Sequence, residues 1–262
     1  MGKEKKVKQK DVDVVWGSEW DRMNKNKELG EVFRSKLFIE GSPIYRKYIP
    51  ENPKMILDVG AGTGKYGVIY AKEFLESTVY ITDVIEESLD IIRRLTKEVG
   101  VENNTVIQKE DISKFTFEDN MFDVVMCDAV IQHVPDVNSA MKEIYRVLKP
   151  GGIVFISTMN VLNFHSLYKL YLRLCRKEYE YVNEKSYTPR ELKKLFKTYN
   201  FEVVAQDGFS VAYGIFRLKK DHKIFAHIGH KMNKVTKFID RFTGRFLSKK
   251  LGFEIFVVGR KK

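Results

Sequence analysis

An α/β fold built on a parallel sheet covered on both faces follows from three observations. Apolar runs of strand length alternate with segments of helical period, a glycine-rich turn joins the first run to the first helix, and acidic residues close successive runs. The strand Met55 to Val59 leads to a helix from about Lys65 to Leu75 and a strand from Val79 to Thr82. A second helix, about Glu86 to Val99, is followed by strands at Thr105 to Gln108 and Phe122 to Cys127. A helix from about Asn138 to Leu148 ends at a predicted turn, Lys149 to Gly152, where proline stops the helix and glycine permits positive φ, before a strand from Ile153 to Thr158. Alternation of this kind implies parallel neighbours with helices on both faces of the sheet.

Beyond Thr158 the alternation is interrupted by an aromatic, basic segment, Phe164 to Tyr181. Thr188-Pro189-Arg190-Glu191 predicts a helix start, with Thr188 as N-cap, proline at the first helical position and Glu191 completing a capping box. That helix runs to about Tyr199; Phe201 to Ala205 and Gly252 to Lys262 are the last strands. The organisation expected is a basic, disordered tail at residues 1–12 and one domain at 13–262, with insertions at about 159–187 and 210–251.

A chain of 262 residues, 44% hydrophobic, suits one large core. Its 46 basic against 35 acidic residues give a formal charge of +11, which favours contact with something anionic, although solvated lysine alone accounts for such an excess. Cys127 and Cys175 cannot make a disulfide framework, and no Cys/His grouping has zinc-site spacing, so no metal is expected. No signal peptide and no run of about 18 apolar residues is present, which points to a cytoplasmic protein, peripheral to a membrane at most.

The chemistry concentrates in Asp58-Val59-Gly60-Ala61-Gly62-Thr63-Gly64. Alternate glycines let the backbone turn sharply and approach a ligand without Cβ contact. A dinucleotide fingerprint can be forced onto Gly62, Gly64 and Gly67, but it leaves Gly60 unexplained and starts too far from the strand. Asp83 closes the second strand, where a carboxylate can accept both ribose hydroxyls, as in nicotinamide proteins too. Glu110-Asp111-Ile112 brings another carboxylate to the same edge. Carboxylates after three successive strands suit a nucleoside carrying a positive charge or none, not a polyphosphate. Asp83 could instead cap the helix that follows it, and Asp111 do the same near Ser113.

With DVGAGTG at Asp58 to Gly64, Asp83 in TDV, EDI at Glu110 to Ile112, FDVVMCDAVIQHVPD at Phe122 to Asp136 and RVLKPGGIVFIST at Arg146 to Thr158, the chain resembles the class I S-adenosylmethionine-dependent methyltransferases over about a hundred residues. The resemblance implies a Rossmann-like, seven-stranded, mostly parallel sheet, its last strand antiparallel beside the fifth, flanked by helices. It implies S-adenosylmethionine as cofactor, held by Asp58, Gly60, Ala61, Gly62, Thr63, Gly64, Asp83, Val84, Asp111, Ile112 and Asp128. Asp128 and His133 follow the fourth strand, where this family places groups facing the transferable methyl. His133 is the candidate general base; the structural reading, a residue opening the loop before Pro135, is slightly the stronger. Cys127 reads as a small buried hydrophobe.

The expected function is in-line transfer of a methyl group to a small, lipophilic or aromatic acceptor. RNA methylation is the alternative enzyme, and a non-catalytic cofactor-binding or membrane-associated interaction protein the alternative outside enzymes. Both insertions leave the ligand edge of the sheet and are expected to cap it. The second, with ten Lys/Arg and two Asp from Lys219 to Lys250, carries apolar residues from Ile224 to Phe246 at helical spacing. It reads as helices packed on the core with a basic outer face, or as a peripheral contact with anionic lipid. Trp16 and Trp20 are placed on an N-terminal helix closing over the cofactor. Nucleic acid is less favoured as a partner, because no separate RNA-binding module is visible.

Overall fold

The computed structural model describes residues 14, 16–18, 29–175, 184–213 and 223–262, with backbone alone at 29–30, 223–227 and 230. The predicted tail at residues 1–12 and Trp20 lie outside the described residues. In chain order the elements are α1 (Lys36–Arg46), β1 (Met55–Val59), α2 (Lys65–Glu73), β2 (Thr78–Asp83), α3 (Glu86–Val99), β3 (Thr105–Lys109), β4 (Phe122–Cys127), α4 (Val137–Val147) and β5 (Leu148–Met159). They continue with α5 (Phe164–Leu174), α6 (Pro189–Thr198), β6 (Phe201–Phe209), α7 (Lys223–Phe242), α8 (Phe246–Leu251) and β7 (Glu254–Lys261).

The seven strands form one sheet in the order β3-β2-β1-β4-β5-β7-β6. β1 to β5 pair in parallel, and β7 runs antiparallel to both β5 and β6. This is the Rossmann-like sheet expected. Successive strand residues face opposite layers: Ile56, Val124, Phe155 and Phe256 join one apolar cluster, and Leu57, Val125, Val154 and Val257 the other. Cys127 lies wholly within the second, and its burial pushes the thiol pKa up, so it is packing and not chemistry.

One predicted turn is drawn into the sheet. Residues 149–152, expected to separate helix from strand, belong to β5, whose pairing with β4 jumps from Phe122↔Leu148 to Val124↔Ile153. The extra residues bulge out of the ladder, and Gly151 takes φ +78° there. The capping box forms as read: Thr188 Oγ1 accepts from the Glu191 N–H (3.1 Å) and the Glu191 carboxylate accepts from the Thr188 N–H (2.8 Å).

Because β7 is antiparallel to both neighbours, β5 and β6 run the same way, and the two insertions leave the same edge of the sheet. Two buried asparagines tie them together. Asn160 donates to the carbonyls of Lys250 and Gly252 (both 2.9 Å), and Asn163 to those of Val211 (2.9 Å) and Leu251 (2.6 Å). Among the described residues no helix is long and apolar enough to cross a membrane.

Candidate functional site

Asp58 lies one residue before the end of β1, Asp83 ends β2, Glu110 and Asp111 follow β3, and Asp128 follows β4, so the parallel order alone gathers five acidic side chains at one edge. Burial there is tolerable only with donors. Asp58 Oδ2 accepts from the Gly67 N–H in the first turns of α2 (2.8 Å), where the helix dipole favours negative charge. A side chain at Gly67 would bring a Cβ to 2.6 Å from Ile81, so glycine permits this approach. Asp83 takes the Gly62 N–H on Oδ2 (2.9 Å) and the Ile85 N–H on Oδ1 (3.0 Å). The glycine turn is thereby clamped between β1 and β2.

Gly60 has φ +60°, and a Cβ there would stand 2.7 Å from both Val130 methyls. The glycine is therefore required by the approach of the β4 loop as well as by any ligand. The turn and its neighbours enclose a cavity of about 250 Å³. Asp58, Gly60, Ala61, Gly62, Asp83, Val84, Asp111, Ile112, Asp128 and His133 all line it; Thr63 and Gly64 do not, and Gly64 instead caps α2. Asp111 is exposed and also accepts from the Ser113 N–H (2.8 Å), closing its own turn. Glu110 is buried and bonded to Gln108 and Thr116. Trp16 reaches the cavity with its ring 5.2 Å from that of His133, edge to face. No described residue of either insertion lines the cavity.

Four groups missed by sequence reasoning gather around Asp128. Tyr45 of α1, completely buried, has its hydroxyl 3.1 Å from Asp128 Oδ1 and 3.0 Å from Glu254 Oε1, and Ser157 of β5 donates to Asp128 Oδ1 (2.9 Å). Lys65 Nζ lies 3.5 Å from Asp128 Oδ2. One phenolic proton cannot serve two carboxylates, so the cluster needs a second. Burial, then the Asp128 charge and a hydrogen bond to it, push the Glu254 carboxyl well above its ordinary range; Glu254 is the protonated member. The only advance sign of it was a glutamate among apolar residues in GFEIFVVG.

Burial also raises Asp58, to about 7, against the opposing Gly67 hydrogen bond. His133 moves the other way: burial pushes its imidazole down to about 4, the Glu184 charge opposing, so it is neutral at pH 7. Its Nδ1 is buried with no hydrogen-bond partner among the described residues.

Residues 57–156 match a methyltransferase-domain family. A demethylmenaquinone methyltransferase of Staphylococcus saprophyticus is 31% identical over 169 residues, 59% of this chain and 69% of that protein. The chain belongs to the class I S-adenosylmethionine-dependent methyltransferases. A Bacteroides fragilis protein of the same description is 27% identical over 128 residues, 48% of this chain, and the match spans about half of it (52%). A solved S-adenosylmethionine-dependent methyltransferase from Thermotoga maritima superposes with TM-score 0.60 over 96% of this chain and 100% of its own at 18% identity, a likeness of fold.

The cofactor is S-adenosylmethionine, and the cavity suits it. Its carboxylates can accept from hydroxyl and ammonium groups, and apolar Val84, Ile85 and Ile112 beside them suit an adenine ring. Keeping His133 uncharged spares a sulfonium a like charge nearby.

A cationic ligand favours ionised Asp58, so cofactor affinity measured by calorimetry should rise up to about eightfold from pH 6 to 7.5, and Asp58→Asn should flatten that rise. The raised Asp58 makes the unliganded protein lose stability as pH climbs from about 4 to about 7, with no further loss above that. For Glu254, the neutral isostere Glu254→Gln should denature within about 1 kcal/mol of the wild type at pH 7, whereas Glu254→Ala should lose about 1–3 kcal/mol by stranding buried partners. Since a raised carboxyl loses its stabilising proton as pH increases, Glu254→Gln should gain on the wild type toward alkaline pH.

Proposed function

We propose that the protein transfers the cofactor's methyl group to a small, lipophilic acceptor by in-line displacement. Bound S-adenosylmethionine supplies an electrophilic methyl on a sulfonium centre. The chain's task is alignment and exclusion of water, and little covalent chemistry is asked of it. The observation that carries this reading is the cavity wall formed by Trp16, Val130, His133 and Val134, where an aromatic ring, two valines and a neutral imidazole face one space. Such a wall favours an apolar acceptor with one polar group. The relatives named above, demethylmenaquinone methyltransferases, support an acceptor of that character.

In this reading His133 accepts the proton of the acceptor's nucleophile through a ring nitrogen, and Asp128, held by Tyr45, Ser157 and Lys65, would help to hold the cofactor. An imidazole with its pKa near 4 is a weak base that is always unprotonated at neutral pH. It therefore suits a nucleophile that is itself readily deprotonated.

Turnover should accordingly be flat in His133 ionisation from about pH 5 to 8 and fall only as pH approaches 4, where the imidazole takes up its proton. His133→Ala should lower kcat by about 10² to 10⁴ with cofactor affinity nearly unchanged. Full turnover in that variant removes His133 from the mechanism. The acceptor class is tested by incorporating labelled methyl from the cofactor into cell extract and separating lipid, RNA and protein. Label in the lipid fraction is the expected result; label confined to RNA contradicts the proposal.

A further inference from the structure

Helix α7 is built the wrong way round for a surface helix. An ordinary one buries its apolar stripe and shows polar residues to water. Here the polar side faces the protein. Thr236 and Asp240 are buried; Asp240 accepts from the N–H groups of Leu247 (2.8 Å) and Ser248 (3.1 Å), Asn233 donates to Glu40 (3.3 Å), and Lys237 pairs with Glu40 (2.9 Å). The apolar side faces out: Val235 is 56% exposed, Phe238 65% and Phe242 72%, with Ile228 and Ile239 on the same stripe and Phe246 exposed at the start of α8. The Phe238 and Phe242 rings pack edge to face at 5.3 Å. The outer face thus carries this apolar stripe together with the exposed basic residues expected from the sequence.

The first insertion repeats the pattern. In α5, Leu167, Leu170, Tyr171 and Leu174 recur at three and four residues and are all more than half exposed, while Leu172 and His165 face inward. Both helices leave the sheet edge that carries the site, and Asn160 and Asn163 tie their segments together. Exposed apolar stripes of this size mark a binding surface.

We propose that these stripes dock the protein on an anionic lipid surface. Charge decides between lipid and a second copy of the chain. Lys234 and Arg241, one heptad apart, border the α7 stripe, and Lys231 and Lys250 are also exposed. From Lys231 to Lys250 the sole acidic residue, Asp240, is buried. Face-to-face association of two such surfaces would set lysine against lysine, whereas anionic headgroups meet the basic border and acyl chains the phenylalanines. The inference deepens the lipophilic-acceptor reading, since such an acceptor resides in the bilayer that the protein would touch.

The test needs neither acceptor nor turnover, so its failure leaves the acceptor reading standing. The full chain is sedimented with vesicles of phosphatidylcholine alone, and of phosphatidylcholine with about a third phosphatidylglycerol, at low and high salt. Binding to the anionic vesicles is expected, weakened by salt, and lowered at least about tenfold by the combined change Phe238→Ser, Phe242→Ser and Phe246→Ser. Calorimetry with S-adenosylmethionine and a melting curve confirm that the variant is folded, as these side chains are exposed. Absence of binding to anionic vesicles, or equal binding by the folded variant, overturns the proposal. So does a dimer, seen by sedimentation equilibrium, that the triple change dissolves without any vesicle binding by the wild type.

Discussion

Carboxylates taken out of water at the C-terminal edge of parallel strands must be given donors, and the way this chain does so sets the rest of the site. Asp58 is held by the N-terminal part of α2, and Asp83 by the glycine turn and the start of the following loop. Each bond also fixes backbone: the turn cannot move without stranding Asp83, and α2 cannot shift without stranding Asp58. The third carboxylate, Asp128, is secured by side chains instead, from α1, β5 and α2. Electrostatic preorganisation and fold stability thus rest on the same few hydrogen bonds.

Burial then separates the titrating groups by role. Glu254 is forced to keep its proton and becomes a neutral support behind Asp128, which spares the cavity a second adjacent charge. Asp58 is left close to neutrality, where a cationic ligand can tip it into the ionised form. His133 is driven to the uncharged state beside that ligand. A carboxylate-rich cavity with one lysine and a neutral histidine is matched to a cation and mismatched to pyrophosphate.

What was legible in the sequence is what lies close in sequence. Asp58, the glycine turn, Asp83 and the Glu110-Asp111-Ile112 stretch announce themselves because each sits at the junction of a strand with its own following segment. Tyr45 and Glu254 do not, since their meeting with Asp128 spans the chain from α1 to β7 and depends on β7 entering the sheet beside β5. Lys65 was legible only as the start of α2, not as the partner of Asp128. Periodicity found the stripe on α7 but not its sign, because spacing shows which residues share a face and says nothing of whether that face turns inward. The turn predicted at residues 149–152 failed for a related reason: proline and glycine mark a local irregularity, and here the irregularity is a bulge within β5.

Selection of a cationic nucleoside over a pyrophosphate by the carboxylates of the cavity is the property on which the proposed chemistry depends. Titration calorimetry of S-adenosylmethionine and of NAD into the full chain at pH 7.5 addresses that directly. One-to-one binding of S-adenosylmethionine is expected, weakened by roughly 1–3 kcal/mol in Asp83→Ala, with no measurable binding of NAD. Binding of NAD without S-adenosylmethionine would contradict that selectivity.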